Sequence, residues 1–156
     1  MPAPDYVLKL RKKIGNDPLW VPGVRGVVVD ASGRVLLAQR ADNKQWALVS
    51  GMLEPGEQPA RGLVREIFEE TAVVAEPERV VSVGAVGPFT YPNGDVCEFL
   101  DVVFLCRYVS GTARVNDDES LAVGWFGVDE LPELMAGHLT SIHRALASAE
   151  AAHFEP

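Results

Sequence analysis

Between Gly51 and Val73 the chain reads GMLEPGEQPARGLVREIFEETAV, and three of its carboxylates, Glu66, Glu69 and Glu70, are spaced to act together. At about 100° of rotation per residue they fall within one helical arc of about 100°. Like charges at these spacings cost about 0.2–0.5 kcal/mol per pair, and a divalent cation reverses that sign. Every candidate ligand is an oxygen, with no Cys or His nearby, which selects a hard ion such as Mg²⁺ or Mn²⁺ over zinc. Arg65 lies four residues before Glu69, the spacing at which a guanidinium braces a carboxylate on a helix. A Glu-rich helix is most often only a solvated face, so the surroundings have to decide.

The helix that would carry these groups is expected over Pro59 to Thr71, where Ala60, Leu63, Val64, Ile67 and Thr71 recur at i, i+3, i+4 and i+7. That apolar arc adjoins the acidic one, so the carboxylates border the core on a half-exposed face. Val24 to Asp30 and Arg34 to Arg40 read as a hairpin turning at Ala31-Ser32-Gly33, and Trp46 to Ser50 as a further short strand. Arg79 to Val86 is β-branched, and Asn93-Gly94 sets a hairpin turn before a long strand from Cys97 to Val109. Ala122 to Phe126 reads as the last strand and Asp129 to Met135 as a helical turn interrupted by Pro132. Helices are expected at Asp5 to Ile14, with Gly15, Asn16 and Pro18 as stop signals, and at Leu139 to Ala152. These elements predict an α/β (α+β) architecture, a mixed sheet flanked by helices. Residues 1–156 are expected to form one domain, with 1–20 an N-terminal helix and lead-in and 139–152 a C-terminal helix.

The 156 residues carry a formal net charge of −8, which argues against holding a nucleic-acid polymer through its backbone. An acidic protein also repels a polyanionic small molecule unless cations intervene, and a metal on the acidic helix face supplies them. No apolar run is long enough to span a bilayer. Lys9, Arg11, Lys12 and Lys13 are not followed by the apolar stretch of a secretion signal, so a cytoplasmic location is expected. Cys97 and Cys106, nine residues apart in one extended segment, are expected to be reduced and buried. His138, His143 and His153 lack zinc-like partners and are expected on the helix surface.

The segment closely resembles the Nudix box, G-x5-E-x7-R-E-U-x-E-E-x-G-U with U aliphatic. Gly51, Glu57, Arg65, Glu66, Ile67, Glu69, Glu70 and Val73 match in place, and only the penultimate Gly departs, being Ala72. At background frequencies of roughly 5–8% per residue, the fixed letters would coincide by accident with a probability on the order of 10⁻⁷ per window. Trp46, the Glu54-Pro55-Gly56-Glu57 turn, Trp125-Phe126 and Asp129-Glu130-Leu131-Pro132 extend the likeness over about Val24 to Leu134. The usual Pro-Gly-Gly before the acidic turn is here Val49-Ser50-Gly51, and Ala72 stands where a left-handed Gly ends the helix, at a cost of about 1 kcal/mol.

The resemblance implies a Nudix-like α/β/α sandwich and hydrolysis of a phosphoanhydride bond in a nucleoside diphosphate linked to another moiety, with Mg²⁺ or Mn²⁺ as cofactor. It implies Glu66 and Glu70 as the direct metal ligands, Glu69 sharing the cluster, the Gly51 carbonyl as a further ligand and Arg65 as the orienting group. Glu57 is either an outer ligand or a favourable charge at the helix N-terminus. For the general base the resemblance sets no fixed position; here the Asn116-Asp117-Asp118-Glu119-Ser120 loop supplies Glu119, with Glu66 or Glu69 as alternatives. Pro88 resembles a marker of ADP-ribose-type substrates and Tyr91 one of dinucleoside polyphosphates, so the two hints cancel. The motif that accompanies NADH pyrophosphatases is not visible. The expected partner is a small nucleotide, with no nucleic-acid polymer and no membrane, and a homodimer is allowed for. Two rival readings remain: a nonhydrolytic nucleotide sensor, which would have lost box residues that are all present, and a diphosphate isomerase, whose catalytic Cys has no counterpart in the context of Cys97 or Cys106.

Overall fold

The computed structural model describes residues 3–148 and 150–156. Its elements in chain order are α1 (Asp5–Ile14), β1 (Leu19–Val29), β2 (Val35–Arg40), β3 (Trp46–Ala47), β4 (Val49–Met52), α2 (Pro59–Thr71), β5 (Val74–Thr90), β6 (Val96–Ser110), β7 (Ser120–Phe126), a 3₁₀ turn (Val128–Glu130) and α3 (His138–Leu146). The strands form one mixed sheet in the order β3-β2-β1-β6-β5, with β4 added on β1 and β7 on β2. Leu19–Val29 of β1 runs parallel to Cys97–Arg107 of β6, and β5 pairs antiparallel with β6.

Alternation along β1 sends Val24 and Val28 to one face and Val27 to the other. The first pair packs with Leu63 and Ile67 of α2, and Val27 packs with Ile142 and Ala145 of α3. The result is the expected α/β/α sandwich. Helix α2 starts at Pro59, whose missing N–H costs nothing at the first helical position, and ends at Ala72. Ala72 adopts φ 58°, ψ 17°, and its N–H donates to the Phe68 carbonyl at 2.9 Å, so the left-handed cap survives without glycine.

Several elements differ from the sequence-based expectation. β1 begins at Leu19 and meets β2 only at Val29↔Val35, because β4 occupies Gly23 to Gly26 of β1 in place of a full hairpin. The strand expected over Trp46 to Ser50 breaks at Leu48, so that Trp46–Ala47 pairs with β2 and Val49–Met52 with β1. β5 begins at Val74 instead of Arg79, directly after the helix cap. The segment expected as a helical turn over Asp129 to Met135 has its 3₁₀ turn at Val128–Glu130 and then runs extended, with Leu134 bridging to Trp46. Helix α3 stops at Leu146 instead of Ala152, and the tail instead adds to the β5 edge, with Val83 N–H donating to the His153 carbonyl at 3.1 Å and His153 N–H to the Val81 carbonyl at 2.8 Å. Cys97 and Cys106 are free and buried. Among the described residues no helix is long and apolar enough to cross a membrane.

Helix α1 is tied to the β5–β6 turn by Arg11, which donates to the Val96 carbonyl at 2.7 Å and to Cys97 Sγ at 3.2 Å. That turn forms as expected, with Tyr91 N–H bonded to the Asp95 carbonyl and Gly94 N–H to the Tyr91 carbonyl.

Candidate active site

The α2 carboxylates part company in burial. Glu66 is 1% exposed and Glu70 8%, whereas the Glu69 side chain is 48% exposed. The half-exposed face expected for all three therefore holds only at Glu69, because Glu66 and Glu70 lie one turn apart on the side that meets β4 and the loop after β6. Gly51 of β4 makes room for this, since a Cβ there would sit 2.1 Å from Glu66 Cδ.

Arg65 organises the group. Its Nε and Nη2 donate to the two oxygens of Glu57 at 2.9 Å each, and Nη1 donates to Glu66 Oε1 at 2.8 Å and to Glu69 Oε2 at 3.1 Å. Such a fork is the strong geometry for a guanidinium and a carboxylate. Glu57 also accepts from Glu54 N–H at 3.0 Å, so its carboxylate ties the acidic turn to the helix. Those hydrogen bonds hold Glu57 below the usual carboxylate range, the Arg65 bond being the largest cause. Burial does the opposite at the other two: Glu66 is pushed up to about 7, and Glu70 to about 8 with help from Glu66 and Asp117. Among the described residues no group of three His, Cys, Asp or Glu side chains already converges as an ion cage.

The loop before β7 closes the site from the other side. Asn116 Nδ2 donates to the Phe68 and Glu69 carbonyls at 3.0 and 3.2 Å, Asn116 N–H to the Glu70 carbonyl at 3.2 Å, and Arg114 N–H to the Thr71 carbonyl at 3.0 Å. The Glu69, Glu70 and Thr71 carbonyls, which the end of α2 leaves without helical partners, are thus satisfied by this loop, and the Phe68 carbonyl, already bonded by Ala72, gains a second donor. Glu119 is half-buried; its N–H donates to Asp117 Oδ1 at 3.1 Å and its carbonyl accepts from Ala41 N–H at 2.7 Å. Glu66, Phe68, Glu69 and Asn116 to Glu119 together line a cleft of about 290 Å³.

The structure therefore brings Glu57, Arg65, Glu66, Glu69, Glu70, Gly51 and Glu119 into one region. A family model for the NUDIX domain matches residues 19–146. The chain belongs to the Nudix hydrolase family. A MutT-like protein of Streptomyces ambofaciens is 39% identical over 121 residues, covering 78% of this Nudix chain and 73% of that protein. The human 8-oxo-dGDP phosphatase NUDT18 is 33% identical over 143 residues, covering 88% of this chain but 39% of the human protein. Among solved structures, a MutT Nudix hydrolase from Burkholderia pseudomallei superposes with a TM-score of 0.66 at 28% identity, covering 81% of this chain and 98% of that one. An ADP-ribose pyrophosphatase from Streptococcus suis superposes with a TM-score of 0.67 at 23% identity, covering 86% and 98%, a likeness of fold alone.

Sequence reasoning missed Asn116 and Arg40 at this Nudix site and misplaced His138 elsewhere in the fold. Asn116 was read only as part of an acidic loop, although an Asn is well suited to bonding exposed helix carbonyls. Arg40, at the end of β2, is bonded through Nε and Nη2 to Asp42 at 2.9 and 2.6 Å and acts electrostatically on Glu70. His138, expected at the surface, is 4% exposed, and its Nδ1 accepts from Leu48 N–H at 2.9 Å. Leu48 is where β3 and β4 separate, so the imidazole satisfies the backbone donor that the strand break releases.

Proposed function

We propose that this chain hydrolyses a phosphoanhydride bond in a nucleoside diphosphate linked to another group, using a divalent ion held by Glu66 and Glu70, with Glu69 and the Gly51 carbonyl as further ligands. The observation that carries the reading is the pairing of a complete Arg65-Glu66-x-x-Glu69-Glu70 set with the burial of Glu66 and Glu70 beside a cleft. The donor set fits a hard ion: it is all oxygen, and two carboxylates whose charge is disfavoured by burial gain most from a dication. When bound, such an ion neutralises phosphate oxygens and makes a bound water more acidic.

The chain's own residues do the rest. Arg65 fixes the rotamers of Glu66 and Glu69 while Glu57 anchors Arg65, so Glu57 and Arg65 are positioning residues. Glu119, held by Asp117 and Ala41 across the cleft from Glu66, is the group we assign to take the proton from the attacking water. The Asn116 contacts keep that loop in register with α2.

The relatives differ in what their names say they act on: 8-oxo-dGDP for NUDT18, NAD-capped RNA for a NudC of Pectobacterium carotovorum at 30% identity, and ADP-ribose for a pyrophosphatase of Methanocaldococcus jannaschii at 29%. A phosphate-release panel of nucleoside di- and triphosphates, oxidised nucleotides, nucleotide sugars, ADP-ribose and dinucleoside polyphosphates, run with Mg²⁺, with Mn²⁺ and with EDTA, tests the reading. Metal-dependent cleavage of at least one diphosphate is expected; no cleavage with either metal, or full activity in EDTA, overturns it.

A further inference from the structure

We propose that the part of the sheet face left uncovered beyond α2 is the contact surface of a homodimer, on which a second copy of this chain seats its own Trp20 against Val83. The surface lies apart from the acidic cleft, so the proposal stands or falls independently of the hydrolytic reading.

Strand register builds this surface. Pro22 of β1, Leu100 of β6 and Ala85 of β5 occupy one rung, and Val24, Val102 and Val83 occupy the next on the same face. Trp20 stands one rung the other way, opposite Glu98. Leu63 and Ile67 of α2 pack with Val24, and Val102 borders the same cluster, but the cover stops there. Trp20 is 54% exposed, Leu100 39% and Val83 38%, and Pro22 and Ala85 are exposed as well. Central strands paired in parallel, as β1 and β6 are, are usually buried on both faces. At the outer edge the C-terminal tail bridges His153 to Ser82 and accepts from Val83 N–H, and the residue that follows, Phe154, is 69% exposed. The apolar strip thus runs from Trp20 to Phe154, and Glu98 is the one charged side chain in its rungs.

Two properties of the strip point to a second copy. The first is area. The exposed fractions amount to an apolar surface on the order of 500 Å², within the range of about 300–600 Å² at which an open patch is often functional. Homodimer interfaces are about 65% apolar, so the strip corresponds to a contact of about 800 Å² per copy, the size a stable interface needs. The second is shape. The largest ring, Trp20, stands at the β1 end, and the small side chains of Ala85 and Val83 stand at the β5 end. A two-fold axis lying in the face at Leu100, across the line from Trp20 to Val83, exchanges the two ends. Each Trp20 then meets the second copy's Val83, and Leu100 meets its own counterpart, as an isologous contact requires.

Each copy carries a net charge of −8, so two copies repel at a distance, and a contact held by apolar burial tightens as salt screens them. β4, whose Gly51 approaches Glu66, pairs with the edge of β1 that faces away from β6, so the dimer leaves the acidic cleft open.

Sedimentation equilibrium of the full chain over a concentration series tests this. A monomer–dimer equilibrium with a dissociation constant below about 100 µM is expected, tightening with added NaCl. Leu100→Glu sets two carboxylates at the axis and is expected to raise that constant at least about 100-fold; Trp20→Thr, which keeps a strand-favouring residue, at least about 30-fold. Leu139→Glu makes the same charge change at a 46% exposed leucine of α3, on the other face of the sheet, and is expected to change the constant less than about threefold. Melting of the dilute, monomeric parent beside each variant checks that all are folded. A constant above about 100 µM for the parent, a dimer that either Leu100→Glu or Trp20→Thr leaves intact, one that Leu139→Glu disrupts as strongly, or one that salt dissociates overturns the proposal.

Discussion

Gly51 and Glu66 are in such close approach that a single methyl group on Gly51 would occupy the space of the Glu66 carboxyl, 2.1 Å from Cδ and 2.4 Å from Oε1. The contact joins β4 to α2 and sets where the innermost carboxylate of the site can stand. Gly51→Ala must therefore displace Glu66 and strain its bond from Arg65. The expected loss in turnover is at least about 100-fold, with a stability cost of about 1–3 kcal/mol from overpacking. Turnover measured beside chemical denaturation checks it; an alanine variant with parental kcat would show that Glu66 has freedom to move.

Glu70 makes the pH dependence informative. Burial raises Glu66 to about 7 and Glu70 to about 8, so the metal-free fold keeps protons that the unfolded chain, with carboxylates near 4.5, has released. Stability from these groups is complete below 4.5 and is lost as pH rises through 7 to 8. His138 runs the other way, since its pKa falls from 6.5 to about 3, but its contribution is complete above 6.5. In EDTA, between about pH 6.5 and 8, the melting temperature should fall, and Glu70→Gln should flatten that fall while lowering metal-supported turnover by several orders of magnitude. Added Mn²⁺ should release protons on binding in the same range. A Glu70→Gln variant that retains more than about a tenth of the parental rate would remove Glu70 from the principal ligands.

The acidic helix was legible because its information is local. Periodicity, Pro59 at the first turn and the i, i+4 spacing of Arg65 and Glu69 all lie within a dozen residues, and both bounds of α2 came out as expected. The burial of Glu66 and Glu70 was not legible, because it depends on Gly51 and on the loop carrying Asn116 folding over the helix. His138 was misread for the same reason: its partner is the Leu48 N–H, 90 residues away, at a strand break that the apolar run from Trp46 onward conceals. The end of α3 was overrun because Ala147 to Ala152 has helix-favouring composition without Gly or Pro, while pairing of His153 with β5 decides where the chain goes.

Ala72 offers a gain in place of a loss. At φ 58° it stands in the left-handed region, where glycine has no Cβ penalty, so Ala72→Gly should stabilise the fold by about 0.5–1 kcal/mol. The carboxylates are untouched, so kcat should change by less than about twofold. Urea midpoints and turnover measured on the same samples check both halves; a destabilised Ala72→Gly would mean that the methyl group's packing outweighs the relief of strain.

Glu119 is the residue whose assignment a substitution decides most clearly. Its backbone is fixed at both ends, by Asp117 Oδ1 and by Ala41, so replacing the carboxylate with an amide leaves the loop's anchors in place. If Glu119 takes the proton of the attacking water, Glu119→Gln lowers kcat by roughly 10²- to 10⁴-fold with KM nearly unchanged, since substrate and metal are held by other groups. A carboxylate that instead ligates the metal gives a different pattern, because the defect is then one of occupancy and raising the metal concentration restores part of the rate. The expected outcome is the first, with no rescue up to saturating Mg²⁺ or Mn²⁺. A change of less than about twofold in both constants would move the base to Glu66 or Glu69, the remaining carboxylates on the cleft wall that Arg65 already orients.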